Sequence, residues 1–183
     1  LEYKPLHKKK HAAYALAKEK TYTKDRIKAI INSDDIAGQF LWKTFSRTLM
    51  YAANLVGEVA DDIHSIDNAL KWGFGWELGP FEVLDAIGLE CFVERYKGEG
   101  NVVAPWMDDM LDSGFTCMYV LREGKKEYYC TNKKDYMPIN HHEKYLDFNI
   151  FKSKSNLIKK NWSASLIDLD DGVVGVQLHS VLK

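Results

Sequence analysis

The chain has little of several things that mark specialised proteins. Of its 183 residues only three are cysteine, Cys91, Cys117 and Cys130, widely spaced and with no CxxC pair. That argues against a disulfide framework and a cysteine-built zinc site, and it predicts a reducing, cytoplasmic home. Charge of one sign is missing too: 25 basic against 26 acidic residues leave a formal net charge of -1. No global field therefore draws nucleic acid or anionic lipid. No apolar run reaches the roughly 18 residues of a membrane span, and the N-terminus has no short apolar core of a secretory signal. A GxSxG elbow is absent, so a serine hydrolase has no support.

What is present is the composition of a globular protein, 46% hydrophobic and 28% charged, enough for one domain with appendages. The chain opens at Leu1 without a methionine and stops directly after the alternation Val174, Val176, Leu178. That predicts a piece cut from a longer protein.

The pattern along the chain predicts a mainly α fold: an irregular helical bundle around one long helix, with an appended β-hairpin and a C-terminal β-hairpin. Residues 1–22, rich in lysine and poor in large apolar side chains, are expected to form a basic surface arm. The helical domain is expected over 23–114. Its long helix starts at a cap offered by Ser33, Asp34 and Asp35 and runs from Ile36 to about Ile63, since no proline interrupts that stretch and Leu41, Phe45, Leu49, Ala52, Val56, Val59 and Ile63 recur at three and four. Shorter helices follow over Ser65 to Trp72, Pro80 to about Gly88, Leu89 to Lys97 and Pro105 to about Asp112, each stopped by glycine. Residues 115–140 then alternate as a hairpin. A three-residue loop over Arg122, Glu123 and Gly124, which pairs Cys117 with Tyr129, suits Glu123 better than a two-residue loop that would face Cys117 with Cys130. Residues 141–163 read as a connector, and 164–183 as a second hairpin turning at Asp170-Asp171-Gly172.

Several patterns invite chemistry that their context denies. In Gly73-Phe-Gly75-Trp-Glu-Leu-Gly79 the third glycine comes one place late for a dinucleotide loop, and a helix precedes it instead of a strand. His141-His142-Glu143 lacks the i, i+4 spacing that presents two imidazoles to one metal. Glu58, Asp61 and Asp62 suit a solvated helix end better than acid–base work. His64 and His179 have no nucleophile close by in the chain. No catalytic, cofactor-binding or metal-ligating residue is assigned. The aromatics Phe74 and Trp76 are the candidate substrate-binding pair, able to stack on an adenine or line an acyl channel; a core role for this cluster with Trp72 and Phe81 stands beside that reading.

The run Ser65 to Gly88 resembles the C-terminal domain of 3-hydroxyacyl-CoA dehydrogenases. Ile66, Asp67, Ala69, Gly73, Gly75, Gly79, Pro80, Phe81, Glu82, Asp85, Ile87 and Gly88 all match the recurring pattern, and Asp67, Gly73, Gly75, Gly79, Pro80, Phe81, Asp85 and Gly88 are taken as its structural motif. Phe40-Leu-Trp-Lys-Thr and Lys71-Trp-Gly-Phe-Gly-Trp look like the bacterial fusion type, in which dehydrogenase parts precede a hydratase module. Ala164 to Ser180 is similar to the first hairpin of an enoyl-CoA hydratase fold, although Val181 and Leu182 stand where lysine and methionine are usual.

The resemblance implies a fold of the 6-phosphogluconate dehydrogenase C-terminal type and a second C-terminal domain without catalytic groups of its own. It implies that the NAD loop and catalytic His–Glu pair lie in an upstream Rossmann domain, and a catalytic asparagine in a first C-terminal repeat. The expected partners are those two domains, the downstream hydratase domain and the acyl-CoA substrate, which this piece would help to wall. No NAD site is expected within the chain. A stand-alone helical module binding a protein or a lipid-like ligand is the alternative.

Overall fold

The computed structural model describes residues 11–122, 125–139 and 156–179. Seven helices are described: α1 (Ala12–Lys18), α2 (Thr23–Ile31), α3 (Ile36–Asn54), α4 (Ile63–Phe74), α5 (Pro80–Ile87), α6 (Leu89–Gly98) and α7 (Pro105–Asp112). Six strands follow: β1 (Tyr119–Arg122), β2 (Lys125–Cys130), β3 (Asp135–Pro138), β4 (Leu157–Lys160), β5 (Ala164–Asp168) and β6 (Val174–Leu178). They form two three-stranded sheets, ordered β1-β2-β3 and β4-β5-β6. The fold is mainly helical, with each expected hairpin enlarged by one strand. None of the described helices is long and apolar enough to cross a membrane.

Two compact units divide the chain. The first holds all seven helices and includes Tyr119 and Tyr129–Asp135. Its core is built from Leu49, Ile63, Phe81, Leu84, Phe92 and Met107 among others, all fully buried. Trp42, Phe92 and Tyr96 form a continuous aromatic run, with centroids 5.5 and 5.6 Å apart. Asp35 caps α3, as expected, by accepting from Gly38 N at 2.9 Å, and its other oxygen accepts from Ala13 N at 3.0 Å. Those two backbone donors hold its carboxyl below the usual carboxylate range.

Beyond the added strands, of which β4 falls inside the segment read as a connector, the structure departs from the sequence reading at four places. Inside the segment expected to be a surface arm, α1 buries Ala13 and Ala17, so two alanines one turn apart dock a helix that large apolar residues did not announce. The long helix stops at Asn54: Gly57 takes φ +86°, a left-handed value costly for other residues, and Asp62 opens a new helix by accepting from Ser65 N at 2.7 Å. The buried face of α3 is also wider than the expected stripe: Leu49 and Ala52 are inside as expected, and Trp42, Ser46 and Met50 join them. Finally, Tyr129 N donates to Met118 O at 2.8 Å. That sets Met118 opposite Tyr129, the register of the shorter loop, and no disulfide joins the exposed Cys117 to the buried Cys130. Glu123 and Gly124 lie outside the described residues, as do His141, His142 and Glu143.

The second unit takes in the rest of the strands. Its β4-β5-β6 sheet is antiparallel, pairing Leu166 with Val176 and Ile167 with Gly175, with an irregularity between Leu157 and Lys159. Asp170, Asp171 and Gly172 all take positive φ in the β5–β6 turn. Among its described residues Ile167 and Ser165 are buried, while Val174, Val176 and Leu178 are exposed.

Candidate functional site

The family-pattern residues of α4 and α5 act on one another. Helix α5 begins at Gly79, which has no side chain to cap it, and its first residue Pro80 has no N–H to satisfy. The next two amides, Phe81 N and Glu82 N, donate to the Asp67 carboxylate of α4 at 2.8 and 3.2 Å. Asp67 thus supplies from a neighbouring helix the cap that Gly79 lacks. Glu82 turns back to accept from Gly79 N at 3.0 Å and pairs with Lys71 at 3.1 Å. Glycine is required at 79 because a Cβ there would sit inside the Asp67 carboxyl group.

Two carboxylates then fasten Met118 and Tyr119 to these helices. Tyr119 Oη donates to Asp67 at 2.7 Å, while Met118 N and Tyr119 N donate to Asp85 at 2.6 and 2.9 Å. Asp67 is fully buried, and burial pushes its pKa up to about 7 against the opposing pull of the Phe81 amide and the Tyr119 hydroxyl. Burial and the neighbouring Asp67 raise the Tyr119 phenol as well.

Beside this staple lies an open apolar groove of about 600 Å³ between the C-terminal half of α3, the break after it, and α4. Tyr51, Leu55, Val59, Leu70, Phe74 and Trp76 line it. Both candidate substrate-binding residues therefore share one surface. Phe74 is 76% exposed and Trp72 82%, whereas Phe81 is fully buried and meets Trp106 at 6.2 Å between ring centroids. The aromatic cluster is thus divided: Phe81 is core, Phe74 and Trp72 are surface. The α3 residues of the groove escaped the sequence reading because an unbroken helix would have left no groove there. A signal did exist in Gly57 followed by the acidic pair Asp61-Asp62.

The lining of the groove is almost wholly apolar. Its lining contains hydroxyls of Thr48, Tyr51 and Ser65 but no carboxylate, imidazole, thiol or amine. The glycine cluster does not fit a dinucleotide either, since the α5 amides that would hold a pyrophosphate are taken by Asp67. Asp62 is a helix cap, and His64 lies 2.9 Å from the Asn68 side-chain amide. His179 meets Ser165 Oγ at 2.7 Å, and with Ser165 1% exposed the pair ties the β5–β6 hairpin.

Comparison with known sequences points to one family. Residues 38–116 match the family described as 3-hydroxyacyl-CoA dehydrogenase, C-terminal domain. Those residues carry that domain. A Bacillus subtilis protein bearing the name 3-hydroxyacyl-CoA dehydrogenase is 44% identical over 180 residues, covering 98% of this chain and 23% of the relative. A Rickettsia felis protein named as a fatty acid oxidation complex trifunctional enzyme is 26% identical over 147 residues, 80% of this chain and 17% of its own length. The chain therefore spans about a quarter or less of these relatives. No solved structure matches it significantly. The matched region contains the Asp67 staple, Asp85 and most of the groove, so the 3-hydroxyacyl-CoA dehydrogenase C-terminal domain accounts for the helices that build both.

Proposed function

We propose that this chain is the second C-terminal domain of a multidomain, NAD-dependent 3-hydroxyacyl-CoA dehydrogenase of fatty-acid β-oxidation, a cytoplasmic enzyme, joined to the start of an enoyl-CoA hydratase-like module. In this reading it supplies surface and no catalytic group. The α3–α4 groove carries the argument: it is apolar and open, and its lining offers no carboxylate, imidazole, thiol or amine. Phe74 and Trp76 wall the acyl part of an acyl-CoA, and the exposed Trp72 and Tyr51 around them face the first C-terminal repeat. Proton abstraction and NAD binding belong to the Rossmann and first-repeat domains, and the β4-β5-β6 sheet opens the hydratase module.

A stand-alone lipid-binding module would suit the same groove. The correspondence of nearly the whole chain to part of a far longer dehydrogenase weighs against it. The test has two arms. The isolated chain is expected to show no NAD reduction with 3-hydroxyacyl-CoA. In the full-length enzyme, Phe74→Ala and Trp76→Ala are expected to raise KM for long-chain substrate several-fold while kcat holds. Turnover by the purified chain would defeat the non-catalytic assignment, and an unchanged KM in both variants would defeat the acyl wall.

A further inference from the structure

The register between β1 and β2 brings two of the three cysteines to facing positions. Tyr129 N donates to Met118 O at 2.8 Å, and the side chains of this opposed pair are both buried. The next residues outward, Cys117 and Cys130, then face each other on the other side of the strands. All four residues belong to the helical unit. Beside a hydrogen-bonded position an antiparallel ladder has a non-hydrogen-bonded one, with Cα atoms roughly 4.5 Å apart, inside the roughly 4.4–6.8 Å that a disulfide spans. The ladder also slackens at this end, because Met118 N donates to Asp85 at 2.6 Å instead of returning to Tyr129. The Cys117 end can therefore adjust its distance to β2 without breaking that return bond.

The two thiols differ in access. Cys117 is exposed, with its Sγ 3.9 Å from Thr116 Oγ1, whereas Cys130 is 9% exposed. An oxidant from solvent thus meets Cys117 first. A sulfur contact of that length is weak, and an exposed side chain moves readily between staggered rotamers, so turning Cys117 from Thr116 toward β2 costs little. Cys130 is shielded from solvent but open to its cross-strand neighbour. The third thiol, Cys91, is exposed on α6 and lies outside this strand pair.

We propose that Cys117 and Cys130 are a reversible modification site, closed to a disulfide by a peroxide and reopened by a dithiol. Hydrogen peroxide oxidises the Cys117 thiol to a sulfenic acid, and its O–O bond breaks to release one water. The Cys130 sulfur then attacks the sulfenyl sulfur; the S–S bond forms and the hydroxyl leaves with the Cys130 proton as a second water. Two thiols have given up two electrons to the peroxide, and thiol–disulfide exchange with a dithiol returns them. Such transient bonds are the kind compatible with a reducing compartment. The bond is placed to act as a latch. It joins β2 to the residue just before Met118 and Tyr119, whose amides donate to Asp85.

The experiment treats the folded 183-residue chain, fully reduced, with hydrogen peroxide and then counts thiols and maps tryptic peptides. Three titratable thiols are expected to fall to one, with the intact mass lower by two hydrogens. Trypsin cuts at Arg122, Lys125 and Lys126, so the bond appears as a link between two separate peptides that a dithiol undoes. The oxidised chain should melt about 5 °C or more above the reduced one, because the closed loop restricts the unfolded state. Cys91→Ser should leave the link intact. Cys117→Ser, a change at an exposed position that should leave the reduced fold and its melting unaltered, should abolish both the link and the rise in melting. Thiols that all survive, oxidation that stops at sulfenic acid, a link that includes Cys91, or covalent dimers in place of the internal bond would each overturn the proposal.

Discussion

Asp67 shows how much a single side chain does in this fold. It caps α5, receives the Tyr119 hydroxyl, and requires glycine at 79. Gly79→Ala should therefore force the carboxyl group away from its donors and cost about 1–3 kcal/mol by overpacking, before lost hydrogen bonds are added. Urea denaturation would read the loss, and an unchanged midpoint would contradict the close approach. The carboxyl also predicts a pH response. Its pKa is raised to about 7 in the fold, against about 4 in an unfolded chain. Because the folded state holds the proton more tightly, the associated stability is fully present below about pH 4 and is lost as pH rises through about 7. A shift of that size is worth on the order of 4 kcal/mol at most. Denaturation at about pH 5 and about pH 8 should thus show the wild-type unit gaining stability on acidification, and Asp67→Asn should flatten the difference. An equal pH slope in wild type and variant would assign the response to other groups.

At the scale of elements, helix ends were legible wherever a residue type dictates backbone geometry. Pro80 and Pro105 begin helices as expected, and glycines close α4, α6 and α7 within a residue or two of the expected stops. Periodicity misled where it should have stopped. Val56, Val59 and Ile63 keep the three-and-four spacing through a stretch that is not helical, because spacing records which residues are apolar and is indifferent to a turn between them. The groove was illegible for the same reason, although the sequence did single out Phe74 and Trp76. Strand β4 was hidden by its lysines: Leu157–Lys160 is exposed along its length, as an edge strand that resists further pairing tends to be. The break itself is testable. Gly57→Ala should cost about 1–2 kcal/mol, because alanine is strained at a left-handed φ. Asp62→Ala should cost about 1 kcal/mol through loss of the α4 cap, while Asp61→Ala, one residue earlier and exposed, should cost almost nothing. Thermal melts of the three variants give the ranking, and equal effects at 61 and 62 would remove Asp62 from the cap. The two aromatics of the family pattern separate in the same way: Phe81→Ala should cost about 3–5 kcal/mol and Phe74→Ala about 0.5 kcal/mol or less.

At the scale of the whole molecule, the sequence family and the physical unit end at different places. The matched domain stops at residue 116, yet the helical unit continues through Tyr119 and takes back Tyr129–Asp135. The reason lies in what those segments bury. Met118 is fully buried and Tyr129 is 1% exposed, its ring packed 5.2 Å from Phe115 and stacked 6.5 Å from Trp106. Lys134 reaches back to Asp109 at 2.7 Å, and Met118 and Tyr119 satisfy Asp85 and Asp67. A chain ending after residue 116 would lose two large core side chains and leave the buried Asp67 with one donor fewer. That loss is on the order of 5 kcal/mol or more, comparable with the whole stability of a small domain. A chain of residues 11–139 keeps every one of these contacts. Amide hydrogen exchange in α5 and the melting temperature are therefore expected to be native-like for the longer fragment, while the shorter one should exchange freely and melt without a cooperative transition. Equal protection in both would mean that the seven helices hold one another without the strand, and that the aspartates Asp67 and Asp85 merely receive β1 instead of depending on it.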